Sequence, residues 1–455
     1  MKIRDAINSA VLQKRFPEIY REFFSNCPIV VSAPHFFTWA GEYVGYWGGL
    51  MMLQKLPLRF FVGIEFMPLA TTPVIQIAPE SRSYSLQENK FKKDTLDHLA
   101  KDRLLDFVNK SFKNKFQKKP IKIHLLSEMP LGGSGSSGAL TAGLATGLAL
   151  ASNAIAPRDI HDWAKQPSSR LIKNKKYRFD FIFRLAWKML AAYQGDLTSG
   201  ATIFTALLDS PYPLYYVLKK DKAINLPLKA EPPFDLIDQL DFNGGRLNEL
   251  FNLPARGSWP IDFGLLYLGE PRGHTPFSTS PLEDNIKNLT KFFQNNFPQA
   301  ALGQNKQMWQ KNCLEVMNFI SADVLLKLGR LLSDGHRHDN LREFLRAVDR
   351  HQALFLLLGA SSNTSEAVNS VIHHQASKID DLGAGVKAVS TTKKNIILFI
   401  FPAGQMRQTL GDILLLTKKE FSTNPVFGYA SWLDGLEQQG IKVEQALAQK
   451  IYSPF

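Results

Sequence analysis

The sequence predicts a mixed α/β protein in two domains, on three observations. Apolar runs rich in β-branched and aromatic residues read as strands: PIVVSAP, LRFFVGIE, PVIQIA, KIHLLSE, DFGLLYLG and NIILFIF. Between them lie stretches of helical periodicity at residues 94–109, 138–154, 180–193, 340–358 and 364–376. A proline-rich segment without a clear period, KAINLPLKAEPPFD from Lys222 to Asp235, breaks the pattern near mid-chain. It sets the expected domains at 1–225 and 226–455.

A chain of 455 residues can bury two or three cores. It has two cysteines, Cys27 and Cys313, far apart in sequence. That argues against a disulfide framework or a cysteine zinc site and suits a reducing compartment. The first residues, MKIRDAINSAVLQKRF, lack the apolar core of a secretory signal and read as an amphipathic helix. The segment from Ala139 to Ala156 is apolar, but it carries Thr141, Thr146, Ser152 and Asn153 and suits a buried helix better than a membrane span. A cytoplasmic protein with no membrane partner is expected, as a monomer or homodimer. The net charge of +13 favours an anionic partner. Its clusters, KNKFQKKPIK and KNKKYR, hold one aromatic each, too few for a base-stacking surface. The expected partner is therefore a small anionic molecule and not a nucleic acid.

The segment PLGGSGSSGAL, Pro130 to Leu140, follows the strand KIHLLSE and precedes a helix. Glycines let a backbone approach a ligand and turn its N–H groups inward. A helix starting near Ser137 aims its positive end at the same spot. Gly132, Gly133, Ser134, Gly135, Ser136, Ser137 and Gly138 thus form a candidate phosphate cradle, with Ser136 and Ser137 offering hydroxyls to phosphate or magnesium. The Gly-Lys-Ser/Thr ending of a Walker loop is absent. Gly133 to Gly138 also spells G-x-G-x-x-G, with Asp159 about twenty residues on, but APRDIHDWA reads as a turn into a helix and not the end of a strand.

The loop resembles the second motif of the GHMP kinases through Gly135-Ser136-Ser137, with Gly138 where that motif has alanine and one residue fewer overall. SAPHFFTWAGEYVGYWGG resembles the first motif through Ala33-Pro34, Gly41-Glu42-Tyr43 and Gly48-Gly49. KIDDLGAGVKAV resembles the third through Gly383-Ala384-Gly385. Gln194-Gly195 and Ser199-Gly200, together with LLYLGEPRGHTPFS, resemble the phosphomevalonate kinase branch.

The resemblance implies an N-terminal ribosomal-S5-like domain and a C-terminal ferredoxin-like domain. It implies ATP and Mg2+ as cofactors, with magnesium held by Ser136, Ser137 and Asp196. It implies an acceptor between the domains, approached by Tyr43, Ser199, Gly200, Thr202, Thr275, Gly383, Ala384, Gly385 and Lys387. Phosphomevalonate is the first acceptor to consider, with mevalonate or a sugar as alternatives. Two positions depart from the pattern: Thr202 stands where these kinases have a catalytic aspartate, and Phe36 where they have a lysine. A kinase acting through Thr202 and Asp196, and a nucleotide-binding protein without transfer, both fit this departure. DGHRHD and the pair His373-His374 are weaker metal candidates, because i, i+2 histidines without cysteine suit a solvated turn.

Overall fold

A computed structural model describes residues 8–41, 44–45, 48–69, 73–85, 88–129, 135–195, 198–210, 212–219, 234–251, 253, 260–267, 306–334, 337–357, 363–377, 384–388, 396–402, 404, 426–431 and 439–446. Two short helices, α1 (Ser9–Arg15) and α2 (Pro17–Asn26), lead into a long hairpin of β1 (Ile29–Ala40) and β2 (Leu50–Phe66). Then follow β3 (Ile75–Ile77), β4 (Ser81–Ser85), β5 (Lys90–Asp94), α3 (His98–Phe116), β6 (Ile121–Ser127) and α4 (Ser136–Ala151). Next come α5 (Pro157–Trp163), α6 (Ser168–Lys173), α7 (Phe179–Gln194), α8 (Ala201–Leu207), β7 (Leu214–Leu218), α9 (Phe234–Gln239), β8 (Phe242–Arg246) and α10 (Leu247–Phe251). The second half holds β9 (Ile261–Tyr267), α11 (Lys306–Ser333), α12 (His338–Leu357), α13 (Asn363–Ser377), β10 (Gly385–Ala388), β11 (Ile396–Pro402), β12 (Val426–Ser431) and β13 (Lys442–Ala446).

The strands form two sheets. The first runs β13-β1-β2-β6-β4-β5, with β3 on β6 and the pair β7-β8 on β2. The second runs β10-β11-β9-β12, antiparallel throughout. In chain order that is 2-3-1-4, the strand order of a ferredoxin-like sandwich. The expected two-domain α/β fold is therefore present. Two strands beyond residue 226 nevertheless join the first sheet: β8 pairs with β7, and β13 pairs with β1.

Successive strand residues face opposite sides of a sheet, and the first sheet uses both. Val31, Ala33, Phe60, Val62 and Ile64 pack under α3, α4, α7 and α8. Val30, Phe37, Trp39 and Phe61 face a second core with Leu12, Tyr20, Phe263, Val324, Leu328, Phe344 and Val348. Through that second core α11 and α12 join the two halves. Among the described residues no helix is long and apolar enough to cross a membrane.

Helix α4 sits at the centre, and every residue except Ser137 is buried. Its small residues permit this. A Cβ on Gly143 would come 2.9 Å from Val62 Cγ2, and one on Gly147 3.2 Å from Ile64 Cδ1. The sequence reading of 138–154 thus holds, two residues late at the start and three at the end. The long α11 was not among the expected helices. Thr364 and Ser365 lie inside α13, which begins at Asn363. Asp159 is a capping residue and not a ribose ligand: its Oδ2 accepts the Ala156 N–H at 2.8 Å at the start of α5. Cys27 is free and buried against Gly63, where burial pushes its thiol up to about 12.

The helix–sheet approach at α4 makes a directional prediction. Gly143→Leu drives side-chain bulk into β2 and lowers unfolding free energy by about 2–3 kcal/mol in urea melts. Gly147→Ala meets only the flexible end of Ile64 and stays within about 1 kcal/mol of the parent, because the gain in helix propensity offsets the contact.

Candidate functional site

The site is built around the two ends of the glycine loop. At its start, strand β6 ends at Ser127, and Glu128 and Met129 follow it. Ser127 Oγ donates to the Met129 carbonyl at 2.6 Å and lies 3.2 Å from His35 Nε2. Glu128 is fully buried. Its Oε1 accepts hydroxyls from Ser9 and Tyr20, each at 2.7 Å, and its Oε2 accepts the Arg59 backbone N–H at 2.6 Å. Burial pushes this carboxyl up to about 7, and the three donors offset only part of that effect. The Tyr20 phenol is pushed up as well, first by its own burial and then by the neighbouring carboxylate.

Gly132, Gly133 and Ser134 lie outside the described residues. At the end of the loop, Gly135 has φ +73°, a left-handed conformation that favours glycine, and caps α4 without a side-chain hydrogen bond. A Cβ there would stand 2.7 Å from the Phe36 backbone nitrogen and 2.8 Å from its ring. One on Gly138 would meet Thr202 Cβ at 2.9 Å, Thr202 Oγ1 at 3.0 Å and Phe36 Cε1 at 3.1 Å. Phe36 and Thr202, the two departures from the kinase pattern, therefore meet over Gly138. Thr202 Oγ1 is buried and has no protein hydrogen-bond partner. Ser136 is buried and Ser137 half-buried in the same first turn. First-turn amides without a side-chain cap suit a phosphate group, and the two glycines let Phe36 and Thr202 pack closely against the start of the helix.

Ser199 and Gly200 precede α8. Ser199 is buried against Met51 and the Gly45 turn, and Gly200 takes φ +77° as the cap of α8. The far end of α8 is held by buried cations. Lys55 Nζ donates to the Leu208 carbonyl at 3.0 Å, and Arg246 Nε donates to that of Asp209 at 2.5 Å. Asp209 Oδ1 accepts the Gly440 N–H at 2.6 Å, which brings in the segment before β13.

Helix α12 reaches both sides of the expected acceptor region. His351 Nε2 accepts the Gly41 N–H at 3.3 Å. Asp349 Oδ1 accepts the Val386 N–H at 3.2 Å, next to Ala384 and Gly385, and stands 3.5 Å from His373 Nε2. Burial pushes the Asp349 carboxyl up to about 6, against the opposing pull of His373. Sequence reading did not single out Glu128, Asp349 or His351; each works through partners distant in the chain. Lys387 falls in β10. Tyr43, Asp196, Thr275 and Gly383 lie outside the described residues, so the acid expected to hold magnesium does too. Among the described residues no group of three or more His, Cys, Asp or Glu could hold a metal ion. His338 is exposed at the start of α12, and His336 lies outside the described residues.

No protein-family model matches the chain, and no curated protein matches it in sequence. Solved structures do match. A phosphomevalonate kinase from Streptococcus pneumoniae superposes with TM-score 0.52 at 13% identity, covering 89% of this chain and 100% of that one. The same organism's enzyme in complex with phosphomevalonate and AMPPNP gives 0.50 at 15%, covering 86% and 97%. Lactococcus lactis galactokinase complexed with galactose gives 0.52 at 13%, covering 96% and 99%. At such identities these similarities show the fold: that of the GHMP kinases, over nearly the whole of each chain.

Glu128 yields a pH prediction with a definite sign. Its folded pKa, about 7, lies above the ordinary glutamate value of 4.5, so the folded state holds the proton more tightly. The stability this contributes is fully present below about pH 4.5, falls as pH rises through 7, and is flat above. In the wild-type-minus-Glu128→Gln difference, measured by urea unfolding, the wild type loses up to roughly 3 kcal/mol between pH 5 and pH 8. A difference independent of pH would show that the carboxyl titrates normally.

Proposed function

We propose that this protein is an ATP-dependent small-molecule kinase whose acceptor is a phosphorylated, anionic alcohol, phosphomevalonate being the first choice. The observation that carries the reading is the start of α4: a helix buried at every residue except Ser137 begins with no side-chain cap on its first-turn amides. The acceptor choice rests on the Gln194-Gly195 and Ser199-Gly200 segments and on the net basic charge. The galactokinase similarity, as close in fold as the phosphomevalonate kinase one, favours neither acceptor.

In this reading the amides of Gly135 to Gly138 and the hydroxyls of Ser136 and Ser137 hold the phosphates and magnesium, with Asp196 as the acid partner. Bound ATP would supply the phosphoryl group, and Mg2+ would offset its negative charge. Phosphoryl transfer depends mainly on positioning and charge neutralisation, so a site without a carboxylate base is chemically sufficient. Thr202, with its buried unpartnered hydroxyl, would orient the acceptor oxygen by donating a hydrogen bond; on a phosphate acceptor that oxygen is already ionised, so no proton has to leave.

A second reading, nucleotide binding without transfer, is favoured by the same neutral pair of Phe36 and Thr202. ADP release from Mg·ATP separates the two, with phosphomevalonate and mevalonate in parallel. Turnover specific to phosphomevalonate is expected. Mg·ATP binding without turnover on any acceptor would favour the second reading.

Thr202→Ser keeps the hydroxyl and retains turnover within about threefold. Thr202→Asp puts a carboxylate against the Phe36 ring and lowers turnover at least about tenfold, since a buried charge without a partner is costly. A rise in turnover would show instead that the position is a base waiting to be restored.

A further inference from the structure

The basic segment KNKFQKKPIK plays no part in the reading above. It lies at one corner of the first sheet. Lys113 and Lys115 stand in the last turn of α3, and Lys118 and Lys119 in the turn that leads to β6. All four are exposed. Between Asp106 and Glu128 the chain holds six lysines and no acid, so no carboxylate from this stretch offsets them. Basic residues at a helix C-terminus complement its dipole, but that effect ends within the last turn and does not account for Lys118 and Lys119.

An apolar residue joins this corner from another loop. The Met67 N–H bonds the Pro120 carbonyl at 2.7 Å, and the Ile121 N–H bonds the Val74 carbonyl at 2.8 Å. Lys119 Nζ lies 5.4 Å from the centre of the Phe66 ring. These contacts hold the end of β2 against the turn between α3 and β6. Leu69, two residues past Met67, is 72% exposed. A lone exposed leucine is ordinary. One held beside four exposed lysines makes an amphipathic corner. We propose that this corner docks on the surface of an anionic lipid bilayer, with the lysines on the headgroup phosphates and Leu69 entering the boundary with the acyl chains.

The chemistry of the corner favours a bilayer over other anions. A single-stranded nucleic acid needs exposed rings on which bases stack. Here Phe112 and Phe116 are buried, and Phe66 is half-buried with Lys119 over its ring. The segment also has no arginine, the residue whose planar fork fixes a phosphate in one geometry. Lysine is a point charge on a flexible stem, which suits a surface of mobile headgroups. A bilayer offers negative charge at its surface and apolar chains just beneath, the two features that lysines around an apolar tip can use together. The corner is also clear of the candidate site. Strand β6 runs from Ile121 here to Ser127 at the site, about 20 Å at ~3.3 Å per residue. Docking and nucleotide binding therefore use different residues, and the proposal stands apart from the kinase reading. It departs from the expectation of no membrane partner, which rested on the lack of a spanning segment; a surface contact needs no span.

Co-sedimentation of the full chain with vesicles tests this. Two compositions are compared: phosphatidylcholine alone, and phosphatidylcholine with about 30 mol% phosphatidylglycerol. Binding is expected to the anionic vesicles and not to the neutral ones. It weakens at least about tenfold as salt rises from about 0.1 to 0.5 M. At low salt Lys115→Gln/Lys118→Gln lowers the partition coefficient at least about tenfold. Leu69→Ser lowers it at least about threefold. Lys175→Gln/Lys176→Gln removes the same charge from the other basic cluster and changes it less than about twofold. All these side chains are exposed, and unchanged thermal melts check that the variants fold. No binding to anionic vesicles overturns the proposal, and so does equal binding to neutral ones. Equal losses in the two lysine pairs reduce the effect to net charge and overturn the corner as its site. Leu69→Ser binding as well as the parent overturns the apolar anchor. Capture of a single-stranded oligonucleotide or of polyglutamate through Lys115 and Lys118, with no capture of vesicles, assigns the corner to another anion and overturns the membrane.

Discussion

The structure depends on a helix that has no polar side. Every residue of α4 except Ser137 is buried, so water can cover none of its flanks. Protein must cover all of them: β1 and β2 beneath, with α7 and α8 alongside. Small residues make this possible, since Gly143 and Gly147 bring the helix axis down onto Val62 and Ile64. A helix held on all sides cannot slide or tilt without opening a void, and voids in close-packed interiors are costly. Its N-terminus is therefore fixed in space before any ligand arrives. The anion cradle proposed for this N-terminus depends on that fixity.

The same requirement explains where the buried cations go. Lys55, Arg59 and Arg246 are almost fully buried, and each donates to main-chain carbonyls. Carbonyls at the C-terminal end of a helix carry partial negative charge and lack helical partners. Lys55 and Arg246 supply donors just past the end of α8, at Leu208 and Asp209. Arg59 ties Ser32 of β1 to the Gly440 carbonyl at 2.7 Å. The segment around Gly440 thus completes the first sheet and steadies the helix that presents Thr202. Glu128 does the equivalent at the other extreme of the chain, joining α1 and α2 to the start of the loop.

What could be read in the sequence follows from how local each signal is. The strand LRFFVGIE and the helices around α4, α7 and α12 announce themselves by periodicity within one window. The loop announces itself by composition, and Gly135 and Gly138 do stand where a Cβ would run into Phe36 or Thr202. The extension of β2 through LMMLQKLP was not legible, because Pro57 and a register shift interrupt the alternation. Nor was β13: KVEQA has no strand pattern of its own and is a strand because β1 offers it an edge. Glu128 was invisible for a related reason. Its partner Ser9 is 119 residues away, and nothing near Glu128 in sequence marks it as buried.

The neutral pair of Phe36 and Thr202, where the resembling kinases carry a lysine and an aspartate, is easier to understand because both pack against Gly138. Two side chains on one glycine share one environment. A lysine facing Thr202 would lack its carboxylate, and an aspartate facing Phe36 would lack its cation. Either state leaves a buried charge unpaired, which costs more than replacing both members with groups that need no partner. The two positions therefore behave as a single unit, charged together or neutral together. In its neutral form the unit contributes shape and one hydroxyl. In the proposed kinase the electrostatic work at the loop then falls to the α4 amides, which the buried helix already holds in place.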